Sequence, residues 1–133
     1  MPSFLEIAAD APAVRFAPGE TIIKEGRPLT NLFILEDGEV EIRRDHTTVC
    51  NISKPGSAFG ELSALLGVVP TASVIASKPA TLRVIEDAAT FFRTNPVATL
   101  EIARLLAHRV NWMTYNYVKE MDDGDSAFWR TRG

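Results

Sequence analysis

The residues best suited to ligand chemistry lie between Gly56 and Val74, a stretch whose order predicts a turn, a short helix, a second turn and a strand. Good helix formers run from Glu61 to Leu66, and Gly67 ends the run. The first turn of such a helix leaves backbone N–H groups without intrahelical acceptors, so it can hold an anion. Glu61 adds a carboxylate at the same place. A carboxylate beside an anion site suits a ligand that carries a hydroxyl group next to a phosphate.

Two segments of this stretch carry a resemblance to a known family: Phe59-Gly60-Glu61-Leu62-Ser63-Ala64-Leu65 and Pro70-Thr71-Ala72-Ser73-Val74. Together they resemble the phosphate-binding cassette of cyclic-nucleotide-binding domains, and we call residues 56–74 the cassette. The family includes bacterial catabolite activator proteins, regulatory subunits of cAMP-dependent kinase and cyclic-nucleotide-gated channels. The likeness runs from about Phe16 to the C-terminal helix. It implies a non-catalytic regulatory domain that needs no cofactor and takes cAMP or cGMP as its ligand.

The resemblance also assigns roles within the cassette. It implies that Glu61 accepts a hydrogen bond from the ribose 2′-hydroxyl group, and that the backbone N–H groups of Leu62 and Ser63 hold the phosphate. Thr71 would contact the phosphate or a purine amino group. The predicted ligand-binding residues are therefore Gly60, Glu61, Leu62, Ser63, Pro70, Thr71 and Ala72.

The cassette departs from the family pattern at the arginine that clamps the cyclic phosphate. Counting without gaps from Glu61 to Val74 puts Pro70 at the arginine position, and one extra residue in the turn would put Thr71 there. Neither residue is a cation. A charged hydrogen-bonding pair contributes roughly 1.5–3 kcal/mol. Its loss weakens binding by about ten- to a hundredfold, so we expect a weak nucleotide site or none.

Aromatic residues of the C-terminal helix are candidates for covering a bound base. Trp112, Tyr115 and Tyr117 can each stack on a purine, as a helix residue does in the resembling domains. Aromatic residues on a helix are also commonly core or interface residues. Both interpretations remain open from the sequence.

The composition predicts a globular domain in a reducing compartment. The chain has 133 residues, 46% of them hydrophobic, and a net charge of −3. The slightly acidic balance disfavours direct nucleic-acid binding, which usually needs a basic face. Cys50, the single cysteine, cannot form an internal disulfide. Since neither a signal peptide nor a membrane span is visible, we expect a cytoplasmic location without membrane contact.

The spacing of short apolar runs predicts an antiparallel β-roll. Strands separated by glycine and proline turns are expected at residues 13–16, 21–24, 31–35, 39–43, 48–52, 73–76 and 81–85. Such spacing is typical of a sandwich or barrel, and the resemblance implies a jelly-roll barrel. We expect an N-terminal helical segment at 1–12, the roll at 13–86, C-terminal helices at 87–123 and a tail at 124–133.

After the roll, the pattern changes to helix. Asp87 is a suitable N-cap for a first helix, and Pro96 suits the first turn of a long second helix that ends near Gly124. The long helix is apolar on two sides, which favours a homodimer through it. The alternative is that the whole apolar surface is internal core. Phe128 and Trp129 in the tail would dock elsewhere or belong to a junction with further sequence.

Enzyme functions find little support in the sequence. A metal-dependent barrel would need clustered histidines and carboxylates, whereas His46 lies in a predicted turn and His108 on the long helix. Cys50 is predicted to be a buried, inert thiol in a strand. The function hypotheses are a cyclic-nucleotide sensor, a degenerate domain that serves as a dimerisation or docking module, and a metal-dependent jelly-roll enzyme.

Overall fold

The computed structural model describes the backbone of residues 3–124 and the side chains of residues 3–116. The chain divides into two compact units, Met1–Glu101 and Ile102–Gly133, which we call the first and second units. The first unit holds all the strands of the described chain, and the second holds most of the long C-terminal helix. The predicted tail, including Phe128 and Trp129, lies outside the described residues.

The first unit contains two antiparallel sheets of four strands each. Their strand orders are β1-β8-β3-β6 and β2-β7-β4-β5. The bounds are β1 Ala13–Phe16, β2 Thr21–Ile23, β3 Leu32–Asp37, β4 Val40–Arg44, β5 Thr47–Ile52, β6 Ala58–Phe59, β7 Ser73–Ala76 and β8 Ala80–Ile85. The predicted jelly-roll architecture is confirmed, and each predicted strand matches an observed one to within two residues.

The core lies between the inner faces of the two sheets, as the alternation along the strands requires. Its buried members are Ile23, Phe33, Leu35, Val40, Phe59, Val74, Ala76, Ala80 and Leu82. The opposite face of β3 is also buried, and helix α1 (Phe4–Ile7) contacts this strand. The predicted packing of a short N-terminal helix on the roll is therefore confirmed.

Two hairpin turns depend on residues that accept left-handed backbone angles. Asp45 and His46 join β4 to β5 with φ values of 51° and 66°. Gly38, between β3 and β4, has a φ of 92°, and a Cβ atom there would lie 2.0 Å from the carbonyl oxygen of Pro79. Only glycine fits such a position, because both the angle and the space exclude a side chain. The turns predicted at these two places are confirmed.

Three further helices follow the sequence signals. They are α2 Glu61–Leu66, α3 Ala88–Thr94 and α4 Pro96–Gly124. The side chain of Asp87 accepts the backbone N–H of Thr90 at 3.3 Å, as an N-cap should. Pro96 begins α4, and the Asn95 side chain accepts the N–H of Ala98 at 3.1 Å.

Two expectations from the sequence were wrong. Cys50 is exposed, not buried, because β5 lies at the edge of its sheet and receives neighbours from one side only. The residues before Gly60 were expected to form a turn, but Ala58 and Phe59 form strand β6 beside β3. A strand of two residues is too short to show an alternating pattern.

Candidate functional site

The cassette helix begins at a glycine that no other residue could replace without strain. Gly60 has a φ of 95°, and a Cβ atom there would lie 2.7 Å from the backbone oxygen of Asn31 and 3.0 Å from the Leu29 side chain. The chain can therefore pass close to the β2–β3 connection and turn sharply from β6 into α2. This turn fixes the direction in which the first residues of α2 point.

The first turn of α2 separates buried polar residues from exposed apolar ones. Glu61 is 6% exposed and Ser63 is 7% exposed, whereas Leu62 is 50% exposed. The first helical hydrogen bond runs from the Ala64 N–H to the Gly60 carbonyl oxygen at 3.1 Å. The N–H groups that precede Ala64 have no acceptor within the helix, as at any helix start.

Glu61 is buried and does not lie on the outer surface of the first unit. A carboxylate that hydrogen-bonds a ligand inside a β-roll must point away from bulk solvent, and a Glu61 on the outer surface would have ruled this role out. Gly60, Glu61, Leu62 and Ser63 are brought together because they are consecutive at the helix start. Their contact with a ligand remains a prediction.

The loop after α2 holds the remaining predicted residues. The Pro70 carbonyl oxygen accepts the N–H of Gly26 at 2.8 Å, which ties this loop to the turn after β2. Thr71 is exposed, and Pro70 and Ala72 are partly buried. The structure therefore puts an uncharged side chain at both positions where the family arginine could fall.

Two cations of the first unit, Arg83 and Lys78, form contacts with carboxylates outside the cassette. The Arg83 Nε and Nη2 atoms donate to Glu36 Oε1 at 2.9 and 2.8 Å, and Nη1 donates to the carbonyl oxygens of Ala9 and Ala11. Lys78 Nζ lies 3.8 Å from Glu39 Oε2. Arg83 thus holds the N-terminal segment against the sheets and is not available to the cassette.

Residues outside the predicted list also shape the cassette. Ser73, at the start of β7, is 7% exposed, and its Oγ accepts the N–H of Glu25 at 3.0 Å. Asn31 supplies the carbonyl oxygen that crowds Gly60. The local sequence pattern did not indicate either role, because the partners of Ser73 and Asn31 lie far away along the chain. The one local signal for Ser73 is its position as the first residue of the strand that follows the cassette loop.

A cleft lies on the α2 and α3 side of the first unit. Its volume is about 400 Å³, and Ser63, Ala64, Gly67, Val68 and Val69 line it on the cassette side. Pro28, Leu29, Thr30, Asp87 and Ala89 line the other side. The Asp87 carboxylate at its rim has a pKa lowered from 3.8, first because the Thr90 hydroxyl group donates to it at 2.7 Å and second because the Thr90 N–H does.

Two of the predicted base-covering residues lie on the exposed part of α4 in the second unit. Trp112 is 66% exposed and Tyr115 is 65% exposed. They line an open groove of about 750 Å³ together with Leu105, His108, Arg109, Asn111 and Met113. The side chain of Tyr117 lies outside the described residues. The base-covering role of all three residues remains a prediction.

Metal binding and membrane insertion each have a structural requirement that the described residues do not meet. Among the side chains of residues 3–116, no group of three or more His, Cys, Asp or Glu has an arrangement that could hold a metal ion. Within the described helices, none combines the length and the apolar character needed to cross a bilayer.

A family model and the sequences of known proteins identify the same family for this chain. The family model for the cyclic nucleotide-binding domain matches residues 13–92, more than half of the chain. A cAMP-dependent protein kinase regulatory subunit from Yarrowia lipolytica is 41% identical over 64 residues. That match covers 48% of this chain and 17% of the relative, so the chain corresponds to a small part of the relative's length.

Solved structures show the same fold. The catabolite activator protein of Thermus thermophilus aligns with a TM-score of 0.71 and 24% identity, covering 88% of this chain and 58% of that protein. The structure of cAMP-bound PfPKA-R aligns with a TM-score of 0.64 and 25% identity, covering 89% of this chain and 38% of that one. With its two four-stranded sheets and the glycine-led cassette helix, this chain belongs to the cyclic nucleotide-binding domain family.

Proposed function

We propose that this chain is a non-catalytic regulatory domain, located in the cytoplasm, whose cassette binds cAMP or cGMP with low affinity. Family membership and the likeness to cAMP-bound PfPKA-R support this function. The observation that carries it is the burial of Glu61 at the start of α2, directly after the left-handed Gly60. A buried carboxylate at a helix start is suited to a ligand with a hydroxyl group next to an anion.

The proposed chemistry uses three kinds of group. Glu61 accepts a hydrogen bond from the ribose 2′-hydroxyl group, and the N–H groups of Leu62 and Ser63 donate to the cyclic phosphate. Thr71 contacts the phosphate or the base. No cation at Pro70 or Thr71 balances the phosphate, so affinity falls by about ten- to a hundredfold relative to a site with the arginine.

Ligand capture would be signalled through the C-terminal helices, α3 and α4. A ligand changes the arrangement of a protein only when it binds one arrangement more tightly than another. The cassette helix contacts α3, so a shift of α2 on binding has a direct path to that helix. A weak ligand can still act in this way if its preference between the two arrangements is large.

Calorimetric titration of the full chain with cAMP and cGMP tests the proposal. Restoring the cation with Pro70→Arg should raise affinity about ten- to a hundredfold, because it replaces the missing charged contact. Glu61→Gln should lower the affinity of the Pro70→Arg chain by about tenfold, because it removes the charge from the acceptor of the ribose hydroxyl group.

Thr71→Arg is the matched control, since it adds the same side chain one residue later. A gain with Pro70→Arg alone supports the gapless register, and a gain with Thr71→Arg alone supports the register with one extra residue. Absence of saturable binding in the parent and in both arginine variants, at millimolar nucleotide, would contradict a cyclic-nucleotide site.

The second candidate function is a degenerate domain that no longer binds nucleotide and serves as a dimerisation or docking module. The apolar surface of α4 in the second unit favours it. Val110, Trp112, Met113 and Tyr115 are each more than 60% exposed, and Trp112, Met113 and Tyr115 line the groove described above. An apolar helix surface of this kind is typical of a protein–protein contact.

Sedimentation of the ligand-free chain tests the second candidate. A homodimer through α4 should dissociate when Trp112→Glu places a charge in the apolar surface. Thr114→Glu is the matched control, because Thr114 is an exposed residue of the same helix that does not line the groove. A ligand-free chain that stays monomeric at high concentration would count against this function.

A further inference from the structure

Strand β5 is an open edge of the first unit. It stands last in the strand order β2-β7-β4-β5, so one side of its backbone pairs with β4 and the other side faces outward. Five of its six residues, Thr47 to Asn51, are exposed. An edge strand of this length presents a row of N–H and C=O groups that can pair with another extended chain.

The other three sheet edges of the described chain are less able to pair. β1 has four residues, includes Arg15 and follows Pro12, while β2 has three residues with irregular pairing. β6 has two residues. Short length, proline and inward or edge charges are the devices that keep natural sheet edges from pairing. β5 has six residues and contains neither proline nor a charged side chain.

The polar side chains of β5 do not cover its outer edge. The Thr48 hydroxyl group donates to Glu41 Oε2 at 3.2 Å, and the Asn51 side-chain amide donates to Glu39 Oε1 at 3.2 Å. Both acceptors belong to the β4 side of the strand, so these side chains turn back towards the sheet. Within the described residues, no strand pairs with the outward backbone groups of β5.

One edge-protecting device is present in β5, a bulge at Val49. Cys50 pairs with Ile42 and Thr48 pairs with Arg43, which leaves Val49 as the extra residue. A bulge increases the local twist and interrupts the ladder. It also leaves the Val49 side chain 62% exposed. We therefore expect pairing at this edge to be weak and to appear as the protein concentration rises.

We propose that β5 pairs with β5 of a second copy of this chain in the antiparallel direction. This interface uses none of the predicted ligand-binding residues and none of the residues that line the α4 groove. Charge complementarity favours it: Asp45 lies just before the strand and Lys54 just after it, while the strand itself is uncharged. Antiparallel pairing brings Asp45 of each copy to the end of the strand where the other copy has Lys54. Parallel pairing would place like charges together.

The proposed register centres on Cys50, so that the two copies of Cys50 lie directly opposite each other on the same face of the joined sheet. Arg44 is not part of the paired edge, because it belongs to β4, which lies one strand further into the sheet. In this arrangement the two copies of Cys50 come within reach of a short cross-linker. Cys50 is the single cysteine of the chain, so a covalent dimer reports on this edge alone.

Cross-linking of the full, ligand-free chain with a short bismaleimide tests the interface. We expect a covalent dimer whose yield rises with protein concentration. Val49→Lys should lower that yield at least tenfold, because it places two like charges at neighbouring positions of the two paired strands, one residue from the centre. Val14→Lys is the matched control on the β1 edge, where Val14 is 38% exposed, and it should leave the yield unchanged.

The charged ends of the strand provide a second, independent readout. Lys54→Glu should weaken the dimer by about two- to tenfold, since two exposed ion pairs become repulsive contacts. The loss should be smaller in an Asp45→Asn background, because the charge that the new glutamate would repel is absent. Asparagine is suitable for this background because it also accepts the left-handed angle at position 45. Circular dichroism and a thermal melt of each variant check that it folds.

Three outcomes would overturn the proposal. They are an equal cross-linking yield in the parent and Val49→Lys chains, a dimer by sedimentation that gives no Cys50 product, and a chain that is monomeric at every concentration. A dimer that Trp112→Glu dissociates but Val49→Lys does not would instead support the α4 interface. Nucleotide binding can fail without affecting any of these results.

Discussion

At the scale of single residues, Gly60 determines the direction in which the cassette helix leaves β6. Its backbone angle and its closeness to Asn31 are two separate reasons for glycine, one local and one tertiary. Because Glu61 and Ser63 follow it directly, any shift at Gly60 moves the two buried polar side chains at the start of α2. The position therefore affects both the stability of the first unit and the geometry of the proposed site.

Gly60→Ala should destabilise the chain by about 2 kcal/mol or more, because alanine is strained at this angle and its Cβ atom would meet a backbone oxygen. Urea denaturation would show this as a lower midpoint with an unchanged slope. Nucleotide affinity of the Pro70→Arg chain should fall at the same time, since the start of α2 has moved.

Gly67→Ala is the matched control for that experiment. Gly67 ends the same helix with a φ of 69°, but a Cβ atom there would meet no atom within 4 Å. Gly67→Ala should lower the free energy of unfolding by about 1 kcal/mol, from the strain of the backbone angle alone. Equal losses for the two variants would show that crowding by Asn31 is unimportant.

At the scale of elements, α3 depends on the capping of its first turn. Asp87 adopts a left-handed angle with a φ of 49° and receives two hydrogen bonds from Thr90, one from the hydroxyl group and one from the N–H. These contacts favour the carboxylate form and hold the pKa of Asp87 below 3.8. The cap is therefore strongest when Asp87 is ionised.

Asp87→Asn should lower stability near neutral pH, because the charge that Thr90 and the helix start favour is removed. The folded-state pKa of Asp87 is lower than the unfolded-state value. Its contribution is therefore complete above the unfolded value of about 3.8 and is lost as the pH falls through the folded value. Thermal melts of the two chains should differ at pH 7, and the difference should shrink as the pH falls from about 3.8 through the lower folded-state pKa of Asp87.

Thr90→Val provides the control for this pH dependence, since it removes the hydroxyl donor and keeps the shape of the side chain. The effect of Asp87→Asn should be clearly smaller in that background. A stability difference between the parent chain and the Asp87→Asn chain that does not change with pH would contradict the electrostatic explanation.

At the scale of the whole molecule, one arginine joins the N-terminal segment to the sheets. Arg83 on β8 reaches Glu36 on β3 and the carbonyl oxygens of Ala9 and Ala11, so three separate parts of the chain meet at one guanidinium group. The planar group can satisfy several acceptors at fixed angles, which a lysine cannot do.

Arg83→Ala should destabilise the first unit by about 2 kcal/mol, because partly buried acceptors lose charged donors. Arg83→Lys should recover only part of that loss. Urea denaturation measures both, and hydrogen exchange should show faster opening of residues 3–11. Arg15→Ala, at an exposed position of the neighbouring strand β1, should change the stability little. A similar loss for Arg15→Ala would show that the effect is not specific to this contact.

The sequence predicted the local elements well where glycine and proline fix the backbone. Gly67 ends α2, and Pro96 begins α4, at the residues expected. The cassette pattern also identified the family and the residues most suited to a ligand. These features depend on the backbone preferences of neighbouring residues, which can be read from a short segment.

Burial and crowding were decided by the tertiary structure. Cys50 lies in a strand and is nevertheless exposed, because β5 is the last strand of its sheet and no strand lies beyond it. Gly60 is crowded by Asn31, which lies 29 positions earlier in the printed sequence. Such contacts depend on which distant segments meet, and no local pattern encodes them. The local pattern was thus sufficient to predict the family and every element except β6, whereas the burial of Glu61 and the open edge at β5 depend on how distant segments pack.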